Sequence, residues 1–124
     1  MVRFFKCPVC GKILMEIEKR PCPTMCCGKP MEEMTLNTSD GAFEKHVPVV
    51  EQDGNKVTVK VGSVAHPMLA AHYITFIALE TNKGLTIRNL NPGEEPKAEF
   101  ILADDEKVIM AYEYCNLHGL WGGN

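Results

Sequence analysis

Near the C-terminus, Cys115-Asn116-Leu117-His118 sets a thiol and an imidazole three residues apart, close enough for one metal ion to take both. The pair alone says little, because the same spacing occurs as half of a zinc site or by coincidence. Three further histidines give it weight. His66 precedes Pro67, which holds it in an extended conformation and fixes the direction of its side chain. His46 stands two residues before Pro48, and His72 follows His66 by six residues. Four imidazoles and one thiolate are more protein ligands than zinc normally takes. Four nitrogens and one sulfur suit iron and leave one of six positions open for a small ligand. The expectation is therefore a single metal held by His46, His66, His72, Cys115 and His118.

The first 36 residues carry five of the six cysteines. Cys7-Pro8-Val9-Cys10-Gly11 is a knuckle whose glycine permits the tight turn that aims two sulfurs at one ion. Cys26-Cys27-Gly28 supplies a second pair, and two pairs of thiolates make a closed tetrahedral site for iron or zinc. So short a segment cannot bury a sufficient core, so bound metal would supply much of its folding energy. Cys22, in Pro21-Cys22-Pro23, is read as a spare thiol, the alternative being that it replaces Cys26 or Cys27 as a ligand.

What must position these groups follows from the pattern of the chain. Residues 11–20 read as a strand or a short helix, the strand being favoured between two metal knuckles. Asn37-Thr38-Ser39-Asp40-Gly41 is polar and turn-rich, and marks a boundary between a small domain at 1–36 and a larger one at 37–124. Beyond it Val57, Val59 and Val61 alternate with Thr58 and Lys60, a half-buried strand. The apolar run 72–80 reads as a central strand opened by His72, with further strands at 47–51, 85–90, 97–103 and 107–114. His46 is placed at the end of a polar loop, and Pro48 marks the strand after it as an edge or terminus. No stretch after residue 40 has a helical period, so the class is all-β, a sandwich or small barrel.

The net charge of −3 and pI near 5.8 argue against a nucleic-acid partner. No apolar run is long enough for a signal peptide or a membrane span, which points to the cytoplasm. There reduced cysteines are metal ligands more often than disulfides.

Glu44-Lys45-His46-Val47-Pro48-Val49, Gly62-Ser63-Val64-Ala65-His66-Pro67-Met68, His72-Tyr73-Ile74 and Tyr114-Cys115-Asn116-Leu117-His118-Gly119-Leu120-Trp121 resemble desulfoferrodoxin, the two-iron superoxide reductase family. The N-terminal cysteine spacing resembles the desulforedoxin domain of the same family. The resemblance implies an immunoglobulin-like β-sandwich behind a small FeS4 domain, usually in a homodimer, with two irons per chain. It implies that Cys7, Cys10, Cys26 and Cys27 hold the FeS4 centre, and that His46, His66, His72 and His118 are equatorial ligands of the catalytic iron. Cys115 matches the axial thiolate, which pushes electron density toward whatever binds opposite. The implied substrate is superoxide, and the implied donor is rubredoxin. Lys45 is the cation expected to attract the anion, and Glu44 resembles the family carboxylate that reaches the open position and helps release product. Cys22 is a departure from the family pattern.

Overall fold

The structure is a computed structural model that describes residues 2–38 and 41–124; Ser39 and Asp40, in the polar boundary stretch, lie outside the described residues. The chain divides into two compact units, residues 1–35 and 36–124.

In the first unit, β1 (Arg3–Lys6) pairs antiparallel with β2 (Ile13–Glu16), the strand expected between the knuckles. A short hairpin follows, β3 (Met25–Cys26) with β4 (Lys29–Pro30), and β5 (Glu32–Glu33) closes a three-stranded sheet in the order β2-β1-β5. Arg3 ties that sheet across its face, with ion pairs to Glu16 at 2.6 Å and Glu33 at 3.0 Å. Among the described residues here only Phe4, Cys7 and Met31 are buried apolar ones, which is too little to hold the unit by burial alone. Cys7 and Cys10 lie on the connection from β1 to β2, and Cys26 ends β3 with Cys27 in the turn that follows.

The second unit opens with one helical turn, α1 (Phe43–His46), where a loop was expected. Then come β6 (Pro48–Asp53), β7 (Lys56–Val61), β8 (Ile74–Thr81), β9 (Gly84–Asn89), β10 (Lys97–Ile101), β11 (Val108–Cys115) and β12 (Gly119–Gly123). They form two antiparallel sheets, ordered β10-β7-β6 and β12-β11-β8-β9. Alternation decides what β7 buries: Val57, Val59 and Val61 are at most 1% exposed, whereas Lys56 before them and Lys60 among them face solvent. They meet Ile74, Ile77 and Leu79 of β8, Ala98 and Phe100 of β10, and Ala111 and Cys115 of β11 in one core between the sheets. Cys115 thus ends its strand inside the sandwich.

β8 pairs on both sides, as its two-faced apolar run requires, and Pro48 begins an edge strand. Two expectations need correction. His72 does not open β8; it sits two residues earlier, in an isolated bridge to Leu69. β12 was not foreseen, because three of its five residues are glycine and no alternation shows. Those glycines are needed for packing: a Cβ on Gly123 would stand 2.9 Å from the Pro48 carbonyl, and one on Gly122 would stand 3.1 Å from Leu36. Asn37 fastens the start of the unit to this strand, accepting from Gly122 N–H at 2.9 Å and donating to Gly122 C=O at 3.3 Å.

Candidate metal centres

In the first unit the knuckle folds around Cys7. Its sulfur accepts the backbone N–H of Val9 and of Cys10, each at 3.4 Å, and Gly11 N–H donates to Cys7 C=O at 3.1 Å. These donors, the Cys10 amide foremost, pull the Cys7 thiol down to about 6, toward the thiolate that a metal needs. Cys10 Sγ lies 3.7 Å from Cys26 Sγ, and Cys26 Sγ lies 4.0 Å from Cys27 Sγ. Sulfurs at the corners of a tetrahedron about 2.3 Å from a common ion are about 3.8 Å apart, so this donor set fits one. Left-handed backbone at Cys27 (φ 53°) and Gly28 (φ 75°) turns the second pair inward. Cys7, Cys10, Cys26 and Cys27 form one cluster. Cys22 lies outside it, exposed, with its thiol toward Pro23 C=O.

In the second unit the five residues expected to share a metal do converge: one ligand atom from each of His46, His66, His72, Cys115 and His118 lies within 4.8 Å of all the others. They arrive from four places in the fold. His46 is the last residue of α1, His66 and His72 lie on the long connection from β7 to β8, Cys115 ends β11, and His118 lies in the turn to β12. His46 Nδ1 is 2.8 Å from Ala42 C=O and His66 Nδ1 is 2.6 Å from Pro67 C=O. A carbonyl only accepts, so both Nδ1 atoms carry the hydrogen and both Nε2 atoms present bare lone pairs.

Those two lone pairs face each other at 3.2 Å, and His118 Nδ1 is 3.1 Å from His46 Nε2. Lone pairs cannot hydrogen-bond to one another, and a cation among them removes the conflict. His72 Nε2 is buried and has no hydrogen-bond partner, a further vacancy that a metal would satisfy. Cys115 Sγ lies 3.8 Å from His118 Nδ1. Burial favours the neutral form of three of these imidazoles: His66 is pushed down to about 4, and His46 and His72 also shift downward. Burial raises the Cys115 thiol, against which the N–H groups of Leu117 and His118 stabilise the thiolate. Five donors, one a thiolate, exceed a structural zinc set and suit iron.

Glu44 and Lys45 precede His46 on α1, and both are exposed. The Lys45 charge is felt at the ligands, where it lowers the pKa of His46 and His72.

Three contributors escaped the sequence reading. Trp121, fully buried on β12, stacks on His46 with centroids 4.9 Å apart and donates its indole N–H to His118 C=O at 2.9 Å. Glu113 is fully buried two residues before Cys115, both carboxyl oxygens without a partner, and burial raises it to about 9. Its signal was a lone acid inside the apolar run Ala-Tyr-Glu-Tyr-Cys. Gly41 brings its backbone against both the His46 and His118 rings, where a Cβ would stand 3.1 Å and 3.3 Å from ring atoms.

Comparison with known proteins agrees with this geometry. The family profile described as Desulfoferrodoxin matches residues 38–124. A desulfoferrodoxin homolog of Archaeoglobus fulgidus is 47% identical over 98% of this chain and 95% of its own. The desulfoferrodoxin of Nitratidesulfovibrio vulgaris is 46% identical over 94% and 91%. The crystal structure of the superoxide reductase from Treponema pallidum superposes with a TM-score of 0.85 at 39% identity, covering 100% of this chain and 99% of that one. With the four-cysteine cluster and the four-histidine, one-cysteine cluster both assembled, the chain belongs to the desulfoferrodoxin family.

Proposed function

We propose that this protein is a superoxide reductase, which converts superoxide, one electron and two protons to hydrogen peroxide. The observation that carries the reading is the convergence of four imidazoles with one buried cysteine sulfur on a single point. Iron held by these residues would supply a one-electron couple for a small anion. The remaining work falls to side chains. His46 and His66 are held in one tautomer by carbonyls, so their donor atoms need no reorganisation. Cys115 lies in the core at the end of β11, where water cannot compete for its sulfur. Lys45, exposed beside His46, attracts superoxide toward a chain whose net charge of −3 repels it. Glu44, one residue before Lys45, is the carboxylate that helps release product.

The proposed division of labour makes residues 1–36 the FeS4 domain, relaying electrons or stabilising the fold, and 37–124 the sandwich domain with the catalytic iron. A rubredoxin-type donor, a homodimer and a cytoplasmic setting complete the reading. Among the described residues no helix is long and apolar enough to cross a membrane.

Metal analysis with visible spectroscopy and rapid mixing with superoxide tests this. Two irons per chain, thiolate-to-iron charge-transfer absorption and peroxide as product are expected. In Cys115→Ser a hard oxygen replaces the soft donor, so the charge-transfer band of the second centre and superoxide reduction are both lost while the FeS4 spectrum stays. A Cys115→Ser protein with full activity would sink the five-ligand site.

A further inference from the structure

Each ligand of the second centre needs something to hold its direction, and for His72 that something is not on its own ring. His46 and His66 each donate Nδ1–H to a carbonyl, and His118 has its own carbonyl held by Trp121. The buried Nε2 of His72 has no hydrogen-bond partner, and the residue lies outside the regular strands. Its segment is short and polar-backboned, tied within itself by Leu69 N–H to His72 C=O at 2.9 Å and the return bond at 3.0 Å. Those bonds shape the loop without registering it against the rest of the site.

The registration comes from Asn116, which follows Cys115 and donates nothing to the metal cluster. Its side-chain Nδ2 donates to Ala71 C=O at 3.0 Å, and its Oδ1 accepts Tyr73 N–H at 2.9 Å. Its own backbone N–H donates to Tyr73 C=O at 3.2 Å. Three hydrogen bonds therefore grip the chain immediately before and immediately after His72. All three start from the turn that carries two other ligands.

We propose that Asn116 is a positioning residue of the second centre, fixing the His72 imidazole at the register of Cys115 and His118. The requirement is chemically narrow. An amide offers one donor and one acceptor on a short stem, matching the C=O of residue 71 and the N–H of residue 73. Aspartate would set a second acceptor against the Ala71 carbonyl, and glutamine would overreach by a methylene. The inference rests on the five-ligand iron reading above and adds to it a residue that touches no metal.

The test measures iron(II) affinity of the second centre by anaerobic chelator competition. Trp121 emission serves as the readout, because the chain has one tryptophan and it stacks on His46. Asn116→Ala is expected to weaken iron(II) binding by roughly tenfold to a hundredfold, the usual cost of losing an outer-shell partner. Asn116→Leu keeps the bulk, removes the two side-chain hydrogen bonds, and should show the same loss; it also serves if the alanine variant fails to fold. The decisive comparison is in a His72→Ala background, which retains four donors and a measurable affinity. If Asn116 acts through His72, Asn116→Ala there changes affinity by less than about twofold. Effects that add, as general loosening of the unit would give, overturn the proposal, and so does unchanged affinity in both single variants. A parent protein that binds no iron(II) at this centre would instead overturn the five-ligand reading.

Discussion

At the residue scale the site depends on charge in two opposite ways. In the proposed reaction Lys45 acts through exposure. At roughly 6 Å from an approaching anion its attraction is worth about 0.7 kcal/mol in bulk water and about 2.8 kcal/mol at an effective dielectric near 20. Lys45→Ala should therefore slow superoxide capture by roughly threefold to a hundredfold and leave the iron spectrum alone. Added salt should slow the parent more than the variant, and pulse radiolysis across ionic strength reads both. An unchanged capture rate would make Lys45 an ordinary surface lysine.

Glu113 acts through burial. Its carboxyl ordinarily titrates at 4.5 and is raised to about 9 in the fold. Above pH 4.5 the unfolded chain releases that proton while the folded chain keeps it. Stability is thus fullest below 4.5 and falls as pH rises toward 9, by up to about 1.4 kcal/mol per pH unit. Glu113→Gln keeps the shape without the proton equilibrium. Its stability advantage over the parent should widen between pH 5 and pH 8 in denaturant unfolding. Parallel curves would mean that the native carboxyl is already ionised.

At the scale of elements, α1 is only four residues long and owes its place to what packs on it. Gly62, just after β7, comes so close that an added Cβ would stand 2.7 Å from Glu44 C=O and 3.0 Å from the Lys45 carbonyl carbon. Backbone cannot swing aside as a side chain can. Gly62→Ala should therefore cost about 1–3 kcal/mol and shift the turn that presents Glu44, Lys45 and His46. Lower iron occupancy at the second centre and a lower unfolding midpoint are expected together. Gly54 serves as the control: its φ of 61° strains an alanine, but nothing lies within 4 Å of the added carbon. Gly54→Ala should cost about 1 kcal/mol and leave the iron in place. Equal iron loss in both variants would separate α1 from the effect.

At the scale of the whole molecule, each metal cluster draws all its donors from one unit: residues 7–27 lie within 1–35, and residues 46–118 within 36–124. Cys10→Ser should then abolish the FeS4 spectrum and destabilise the first unit, yet leave the second iron and its reaction with superoxide intact. Loss of both irons would show that the units fold as one. Limited proteolysis with metal analysis of the fragments distinguishes the two outcomes.

The sequence by itself determined whatever depends on near neighbours. The cysteine knuckles were legible because a C-x-x-C-G turn is closed by its own amides, as Val9 and Cys10 close on Cys7. β7 was legible because alternation records which face is buried, and β8 because an apolar run on both faces requires cover on both. The types of the five ligands were legible from their chemistry. Only tertiary structure decided the rest. His46 and His118 are 72 residues apart, and nothing local states that their nitrogens approach to 3.1 Å. β12 has too few side chains to show a pattern, and its glycines have meaning only against Leu36 and Pro48. Asn116 reads as a spacer between two ligands until the fold lays residues 71–73 beside it. A hydrogen bond between distant backbone segments leaves no periodic trace in either.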